Sequence, residues 1–213
     1  MSAEARPKRP WWLRWPVLAL ALIPLGLIGG RSAGYKPFHL PSEAMEPTLR
    51  KGDRIIALMR VPAELKRGDI ILFDSPAGGL YIKRIAALPG DRIEVRQGIV
   101  VLNGKEIEQS FVGEALADTP TGKDKIKVYA ERFPGERGEH RIYDLGFDPR
   151  LDDFPEEVVR EGHVFVMGDN RDQSADSRIS PEQMGVSQLP ISRIRGKALF
   201  HSLGSSRGIG TRI

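Results

Sequence analysis

Beyond residue 35 the hydrophobic positions form short runs. These runs are separated by residues that are typical of turns. Three runs follow a Gly-Asp dipeptide and read KGDRIIALMR, RGDIILFDSP and PGDRIEVRQ, the pattern of strands that begin after turns. GIVVLNGKEI predicts a hairpin, because Asn103-Gly104 suits a type I′ turn. GLYIKRIAALP, HVFVMGD and RIRGKALFHSL predict further strands, and residues 50–110 lack a helical period. The pattern predicts a mainly β body.

Residues 105–160 have a different composition from the rest of the body. They are rich in Glu, Lys, Asp, Gly and Pro, and their apolar positions alternate only weakly. We therefore predict an inserted, more exposed β subdomain at 105–160. It would divide a β core into the segments 35–104 and 161–205, with a tail at 206–213.

A long apolar run near the N-terminus predicts a membrane segment. Residues 15–30 are sixteen uncharged residues behind the basic tail 1–14, and Trp11, Trp12 and Trp15 resemble an interfacial aromatic belt. The run is short against the usual ~20 residues of a spanning helix, but flanking arginines can snorkel. A cleavable signal peptide, with small residues at 32–34, is the alternative.

Both explanations export the body, because basic residues stay on the cytoplasmic side. We predict a single-pass protein of the inner cell membrane, with a cytoplasmic N-terminus and a periplasmic body. Whether the segment is retained or cleaved remains open.

Composition excludes several classes of protein. The 213 residues include no cysteine, which rules out disulfides, thiolate zinc sites and cysteine nucleophiles. The net charge is +4, but residues 1–14 carry four basic residues against Glu4, so the body is nearly neutral. We therefore expect no nucleic-acid partner. The four histidines lack metal-ligand spacing, and no phosphate loop or dinucleotide fingerprint is present, so we expect no metal and no cofactor.

Four stretches carry a family resemblance when they are taken in order. They are PSEAMEPTL at 41–49, KGDRI at 51–55, YIKRIAALPGDRI at 81–93 and GDNRDQSADSR at 168–178, all behind the apolar run. Together they resemble the type I signal peptidases, membrane-anchored Ser/Lys proteases that remove signal peptides from exported preproteins. The resemblance implies an antiparallel β core with an inserted β subdomain, preceded by one N-terminal transmembrane helix. It also implies two partners, signal-peptide-bearing preproteins and the lipid bilayer.

The resemblance implies a role for each matching residue. Lys83 matches the general base, and Ser42 matches a hydroxyl that helps to form the oxyanion hole. Ser174 and Asp176 match residues that orient the lysine, and residues 168–171 match a structural turn beneath the site. Gln173 departs from the asparagine that is usual in the family.

Lysine can act as a base only if its pKa is lowered from the usual value of about 10.4. Lys83 lies among Tyr81, Ile82 and Ile85 in a predicted strand, where burial would disfavour the ammonium form. Arg84 should face the opposite way, because neighbouring residues in a strand alternate between faces.

Ala44 occupies the position at which the family pattern has its nucleophilic serine. Three explanations remain open. The chain is an active-site variant of a working enzyme, or a natural homologue that binds peptides without cleaving them, or an enzyme in which Ser42 acts as nucleophile. In an extended segment, residues 42 and 44 would lie roughly 6–7 Å apart at about 3.3 Å per residue, too far for Ser42 to replace residue 44 without rearrangement.

The substrate is expected to bind as an added β-strand. Small residues beside the scissile bond would then enter shallow apolar pockets, whose candidate lining residues are Phe38, Leu40, Met45, Ile82 and Ile85. Two functions follow from the sequence: a membrane-bound signal-peptide endopeptidase, and an inactive homologue that binds signal peptides or partner proteins. A relative dedicated to one pilus or conjugation substrate would have the same chemistry.

Overall fold

A computed structural model describes residues 34–119, 122–202, 205 and 207–213. This part of the chain contains fourteen strands, one short α-helix (α1, Pro149–Asp152) and 3₁₀ helices at Pro181–Gln183 and Ile191–Arg193. The strands are β1 (Tyr35–His39), β2 (Arg54–Leu58), β3 (Ile70–Asp74), β4 (Leu80–Ala87), β5 (Arg92–Arg96), β6 (Ile99–Leu102), β7 (Lys105–Glu106), β8 (Glu108–Thr119), β9 (Gly122–Arg132), β10 (His140–Asp144), β11 (Phe154–Val158), β12 (His163–Met167), β13 (Leu189–Pro190) and β14 (Ile194–His201). The prediction of a mainly β body is confirmed.

A seven-stranded sheet joins the two ends of the described chain. Its strand order is β1-β2-β14-β3-β4-β12-β13, and its neighbouring strands are antiparallel. The late strand β14 lies between β2 and β3, and β12 lies beside β4. Long-range pairing therefore brings the PSEAM, YIKRI and GDNR segments to one region, although they are far apart in sequence.

The Gly-Asp dipeptides form three similar turns. In each turn the glycine has a positive φ of 84–89°, a conformation that glycine adopts without steric cost. In each, the aspartate carboxylate accepts the backbone N–H of the residue three positions earlier. The turns are Gly52-Asp53, Gly68-Asp69 and Gly90-Asp91, and they precede β2, β3 and β5. Local turn chemistry thus fixes where these strands begin.

Two smaller sheets complete the fold. Strands β11-β5-β6-β7 form one and β10-β9-β8 the other. Between β6 and β7, Asn103 and Gly104 both have positive φ, as a type I′ turn requires. The predicted insert 105–160 supplies β7–β11, but β11 pairs with β5 of the predicted core. The division of the chain into domains stays a prediction.

The main apolar core lies where the sheets meet. One buried cluster includes Phe165 of β12, Ile93 and Val95 of β5, Val100 of β6 and Phe133 after β9. Hydrophobic side chains from both segments of the predicted core and from the predicted insert therefore share one interior.

The predicted transmembrane segment 15–30 lies outside the described residues, as do the basic tail and most of the segment that links the run to β1. Among the residues that the structure describes, no helix is long and apolar enough to cross a membrane.

Replacement of Phe165 by alanine tests the shared core. Phe165 is fully buried, and the loss of a buried phenylalanine side chain costs about 3–5 kcal/mol. We expect Phe165→Ala to lower the free energy of unfolding by that amount in chemical denaturation. Phe147→Ala is the matched control, because the Phe147 side chain is 63% exposed. Equal losses in the two variants would contradict this description of the core.

Candidate active site

Lys83 lies inside the seven-stranded sheet, on β4. Only 3% of the residue is exposed. Ile71 on β3 is its pairing partner, and the Lys83 Nζ lies 5.8 Å from the centre of the Tyr81 ring. Arg84 is also buried, on the opposite face of the strand as strand alternation predicts. The lysine amine is therefore held away from bulk water by an apolar face of the sheet.

The buried arginines around Lys83 each have a carboxylate partner. Arg84 donates two hydrogen bonds to Asp169, at 2.8 and 2.7 Å. Arg178 binds both carboxylate oxygens of Asp176, at 3.0 and 2.9 Å. Among the described residues, no carboxylate hydrogen-bonds or forms an ion pair with Lys83 Nζ. Burial therefore destabilises the charged form of Lys83, and no directly bound carboxylate offsets this effect.

Burial lowers the pKa of Lys83 from 10.5 to about 8. The negative charges of Asp176 and Asp169 oppose this shift, while the positive charge of Arg178 adds to it. Since one pKa unit is a factor of ten in the protonation equilibrium, about a tenth of the lysine is neutral at pH 7. A neutral amine with a pKa near the working pH can act as a general base.

The loop at 41–49 is a series of turns rather than an extended strand. The Ala44 N–H donates to Ser42 Oγ at 3.2 Å, and the Ala44 carbonyl accepts from the Asn170 N–H at 3.2 Å. Residue 44 is therefore fixed by its backbone on both sides. Ala44 is 9% exposed, whereas Ser42 is exposed. The separation of about 6–7 Å between residues 42 and 44 was expected for an extended segment. Because this loop is not extended, that estimate does not apply to it.

Gly168 connects this loop to the lysine strand. Met167 pairs with Arg84 and Val166 pairs with Ile85, so the antiparallel register carries Gly168 toward Lys83. A β-carbon on Gly168 would lie 2.2 Å from Ser174 Oγ and 2.5 Å from the Ala44 carbonyl oxygen. Only a residue without a side chain allows these groups to approach so closely.

Ser174 and Asp176 lie on the segment that follows Gly168. Ser174 Oγ is buried and makes no hydrogen bond to another described residue, so the hydroxyl is available to a neighbouring group. Asp176 accepts the Gly168 N–H at 3.0 Å and acts electrostatically on Lys83. The structure therefore brings Ser174, Asp176 and residue 44 to Gly168, beside the lysine strand.

Four of the five candidate pocket residues share one apolar cluster. Leu40 and Met45 are buried in it, and Phe38 and Ile82 pack against it. Ile85 belongs to a second cluster with Ile71 and Phe73 on the Lys83 side of β4. The structure thus separates Ile85 from the other four.

A second serine near a histidine and an aspartate does not form a catalytic triad. Ser205 Oγ lies 2.5 Å from His201 Nδ1, and Asp53 Oδ2 lies 3.9 Å from the same nitrogen. A triad needs the hydroxyl and the carboxylate on different ring nitrogens. Within the described ranges, no group of His, Asp and Glu side chains is arranged to hold a metal ion.

The family-model comparison identifies the chain. The model described as signal peptidase, peptidase S26, matches residues 11–203. This chain belongs to the signal peptidase family. Signal peptidase I of Rickettsia akari (strain Hartford) is 31% identical over 224 aligned residues, which cover 91% of this chain and 78% of that protein. Signal peptidase I of Pseudomonas aeruginosa is 31% identical, and the match covers 86% of this chain and 68% of that protein.

One solved structure, a signal peptidase I from Enterococcus faecalis, has 24% sequence identity and a TM-score of 0.34, and the match covers 63% of this chain and 96% of that one. By family, the chain is a signal peptidase I, a class of serine endopeptidases.

Sequence reasoning missed how three residues shape this candidate site. Gly168 allows the close approach at its centre, and Arg84 and Arg178 pair with the nearby aspartates. The Asp176–Arg178 pair could have been predicted from the sequence, because its two residues are only two positions apart. The Arg84–Asp169 pair could not, because its residues are 85 positions apart.

Replacement of Lys83 tests whether burial lowers its pKa. The folded-state pKa of about 8 lies below the unfolded-state value of 10.5, so the folded protein binds fewer protons between these values and its stability should rise with pH there. Below pH 8 the buried ammonium costs about 3 kcal/mol, at ~1.4 kcal/mol per pKa unit. We expect Lys83→Met to raise the free energy of unfolding at pH 7 by about this amount and to remove the rise above pH 8.

The exposed Lys127 provides the matched control. Lys127→Met should leave both the stability and its pH dependence nearly unchanged. A Lys83→Met protein with the parent's stability at pH 7 and at pH 10 would contradict a lowered lysine pKa.

Replacement of Gly168 tests the close approach at the site. The new methyl of Gly168→Ala would meet Ser174 and the Ala44 backbone, and overpacking of this kind costs about 1–3 kcal/mol. We expect a corresponding fall in the free energy of unfolding by chemical denaturation. Gly138→Ala is the control, because a β-carbon there meets nothing within 4 Å. Gly168→Ala with the control's stability would argue against the close approach.

Proposed function

We propose that this scaffold removes signal peptides from exported preproteins with Lys83 as general base and residue 44 at the nucleophile position. One observation carries the proposal. A buried lysine with a pKa of about 8 lies on the strand beside Gly168, which also contacts Ser174 and the Ala44 carbonyl. A lysine base replaces the histidine of a triad only where its amine is neutral.

The reaction follows from these positions when residue 44 is a serine, as in an Ala44→Ser variant. Neutral Lys83 takes the proton from the introduced hydroxyl, and the hydroxyl oxygen attacks the scissile carbonyl to form a tetrahedral intermediate. As the intermediate collapses, the C–N bond breaks and the lysine ammonium returns the proton to the leaving amine. Lys83 then accepts a proton from water, whose oxygen attacks the acyl carbon. As this second tetrahedral intermediate collapses, the ester C–O bond breaks, and the lysine ammonium returns the proton to the serine oxygen, which releases the carboxylic acid product and restores the hydroxyl.

The backbone N–H of residue 44 and the Ser42 hydroxyl are the proposed donors to the oxyanion. Their 3.2 Å contact supports a location at one edge of the site for both groups. The substrate oxyanion would replace this contact and accept hydrogen bonds from both groups. Loss of one such donor costs about 10²–10³ in rate.

Ala44 removes the attacking oxygen from this scheme. The exposed Ser42 is bound to the Ala44 N–H, whereas Lys83 is buried, and this difference argues against Ser42 as the replacement nucleophile. The alternative function is therefore capture of signal peptides or partner proteins without cleavage. Ala44 favours it, while the retained Lys83, Ser174 and Asp176 favour an active-site variant of an enzyme.

Substrate recognition and membrane attachment complete the proposal. The cluster of Leu40, Met45, Phe38 and Ile82 would receive small side chains beside the scissile bond. The peptide would add as a strand near the loop at 41–49. Residues 15–30 would anchor the chain in the inner membrane, with the body on the periplasmic side.

Restoration of the hydroxyl tests the proposed function. In detergent, we expect Ala44→Ser to cleave a preprotein at least about 10⁴-fold faster than this chain, because loss of a catalytic serine costs at least that much. Ala44→Ser with Lys83→Met should return to the low rate. Equal cleavage by the parent and the Ala44→Ser variant would require another nucleophile, and Ser42→Ala would then identify or exclude Ser42.

The pH profile of the Ala44→Ser variant provides a second readout. Because the base must be neutral, kcat/KM should rise about tenfold per pH unit below the Lys83 pKa of about 8 and level off above it. A profile that is flat from about pH 6 to about pH 9 would exclude Lys83 as the base. Binding of a signal peptide by the parent chain, with no cleavage by either form, would favour the alternative function.

A further inference from the structure

A cavity behind the loop at 41–49 is surrounded by arginines. It has a volume of about 220 Å³. Arg50, Arg141 and Arg207 contribute to its lining, together with Tyr143 and Pro47. Three segments that are distant in sequence thus converge on one concavity.

Each arginine reaches the cavity for a structural reason. Arg141 and Tyr143 are two residues apart on β10 and point to the same side of the strand. Arg50 follows the loop that carries residue 44, and Arg207 Nη2 donates to the Pro47 carbonyl at 2.8 Å. Val112 and Gly113, at a bulge in β8 where the register shifts between Phe111 and Gly113, also line the cavity.

The three guanidinium groups have no carboxylate partners in the described part of the chain. No ion pair there involves Arg50, Arg141 or Arg207. Glu114 also lines the cavity, but its carboxylate is 3.7 Å from Lys125 Nζ. The three guanidinium groups therefore line the cavity without an ion pair to a described carboxylate.

The nearby groups show that the charges act on one another. Burial raises the pKa of the Tyr143 phenol, and the positive charges of Arg50, Arg207 and Arg141 oppose that shift. Glu46 acts on the same phenol with the opposite sign. The pKa of Glu46 is itself raised, first by burial. The three arginines thus surround one side chain, that of Tyr143, at the cavity.

We propose that this cavity, the tri-arginine pocket, binds a phosphate group. A guanidinium presents a planar fork of donors that matches phosphate oxygens. A phosphate offers more acceptor oxygens than a carboxylate, so it can engage donors from several arginines at once. A bound phosphate would link β10 and Arg207 to the loop that carries residue 44.

Two sources of the phosphate are distinguishable: inorganic phosphate and the headgroup of an anionic phospholipid. Val112 lines the pocket and is 46% exposed. This apolar side chain would contact the lipid part of a headgroup ligand and would gain nothing from the free ion.

The test measures thermal unfolding of the full chain in dodecyl maltoside at constant ionic strength, with chloride as the balancing salt. The ligands are inorganic phosphate, dihexanoyl phosphatidylglycerol and, as a zwitterionic comparison, dihexanoyl phosphatidylcholine. Because a ligand that binds the folded state stabilises it, we expect a saturable rise in Tm with phosphate or phosphatidylglycerol. Saturation at lower phosphatidylglycerol than phosphate concentration assigns the lipid headgroup, and the reverse order assigns the free ion.

Variants tie the response to the pocket. Arg141→Gln should raise the apparent dissociation constant about tenfold or more, because it removes charge-assisted hydrogen bonds. Arg141→Lys should have a smaller effect, since it keeps the charge and loses the fork. Arg137→Gln, at another exposed arginine, makes the same charge change outside the pocket and should respond as the parent does.

Replacement of all three arginines by glutamine should abolish the saturable response. The proposal is overturned if the parent shows no saturable response to either ligand. It is also overturned if the triple variant and the parent give the same binding curve. The measurement uses no cleavage, so its failure would leave the proposed function untouched.

Discussion

The buried amine of Lys83 is the constraint on which the site depends. A lysine held in the interior of a sheet loses the hydration that stabilises its charge, and its pKa falls to about 8. A carboxylate at hydrogen-bond distance would restore the charged form and remove the basic character. The arrangement avoids this because Arg84 and Arg178 occupy Asp169 and Asp176. The arginines thus keep the aspartates ionised and leave the lysine without a direct partner.

This division of charge requires a particular strand arrangement. Arg84 follows Lys83 on β4 and faces the opposite side, where it meets Asp169 after β12. Because β14 lies between β2 and β3, the same sheet contains strands from the beginning and from the end of the body. Gly168 then brings Ser174 and the Ala44 backbone together. The position of residue 44 is therefore set by backbone contacts that an alanine leaves in place, which is why the scaffold remains complete without the hydroxyl.

The loop at 41–49 contacts both the candidate active site and the tri-arginine pocket. One side of the loop meets Asn170 through the Ala44 carbonyl, and the other meets Arg207 through the Pro47 carbonyl. The candidate active site and the proposed phosphate site are thus built on the same short segment.

The sequence by itself determined those strands whose signals are local. In the Gly-Asp turns the aspartate carboxylate accepts a backbone N–H three residues earlier. In the Asn-Gly turn both residues have positive φ. Each of these turns is specified by residues that are close together in sequence. The family motifs likewise named Lys83, residue 44, Ser174 and Asp176. Their roles remain proposals, as do the division into domains and the membrane segment.

Only the tertiary structure decided the pairings between distant residues. The Arg84–Asp169 ion pair, the separation of Ile85 from the other pocket candidates and the convergence of Arg50, Arg141 and Arg207 all depend on strand order and register. A linear pattern records which face of a strand a side chain occupies, but not which strand lies opposite. Electrostatic and packing energies fall steeply with distance, so the identity of each neighbour, which the fold alone supplies, sets the chemistry.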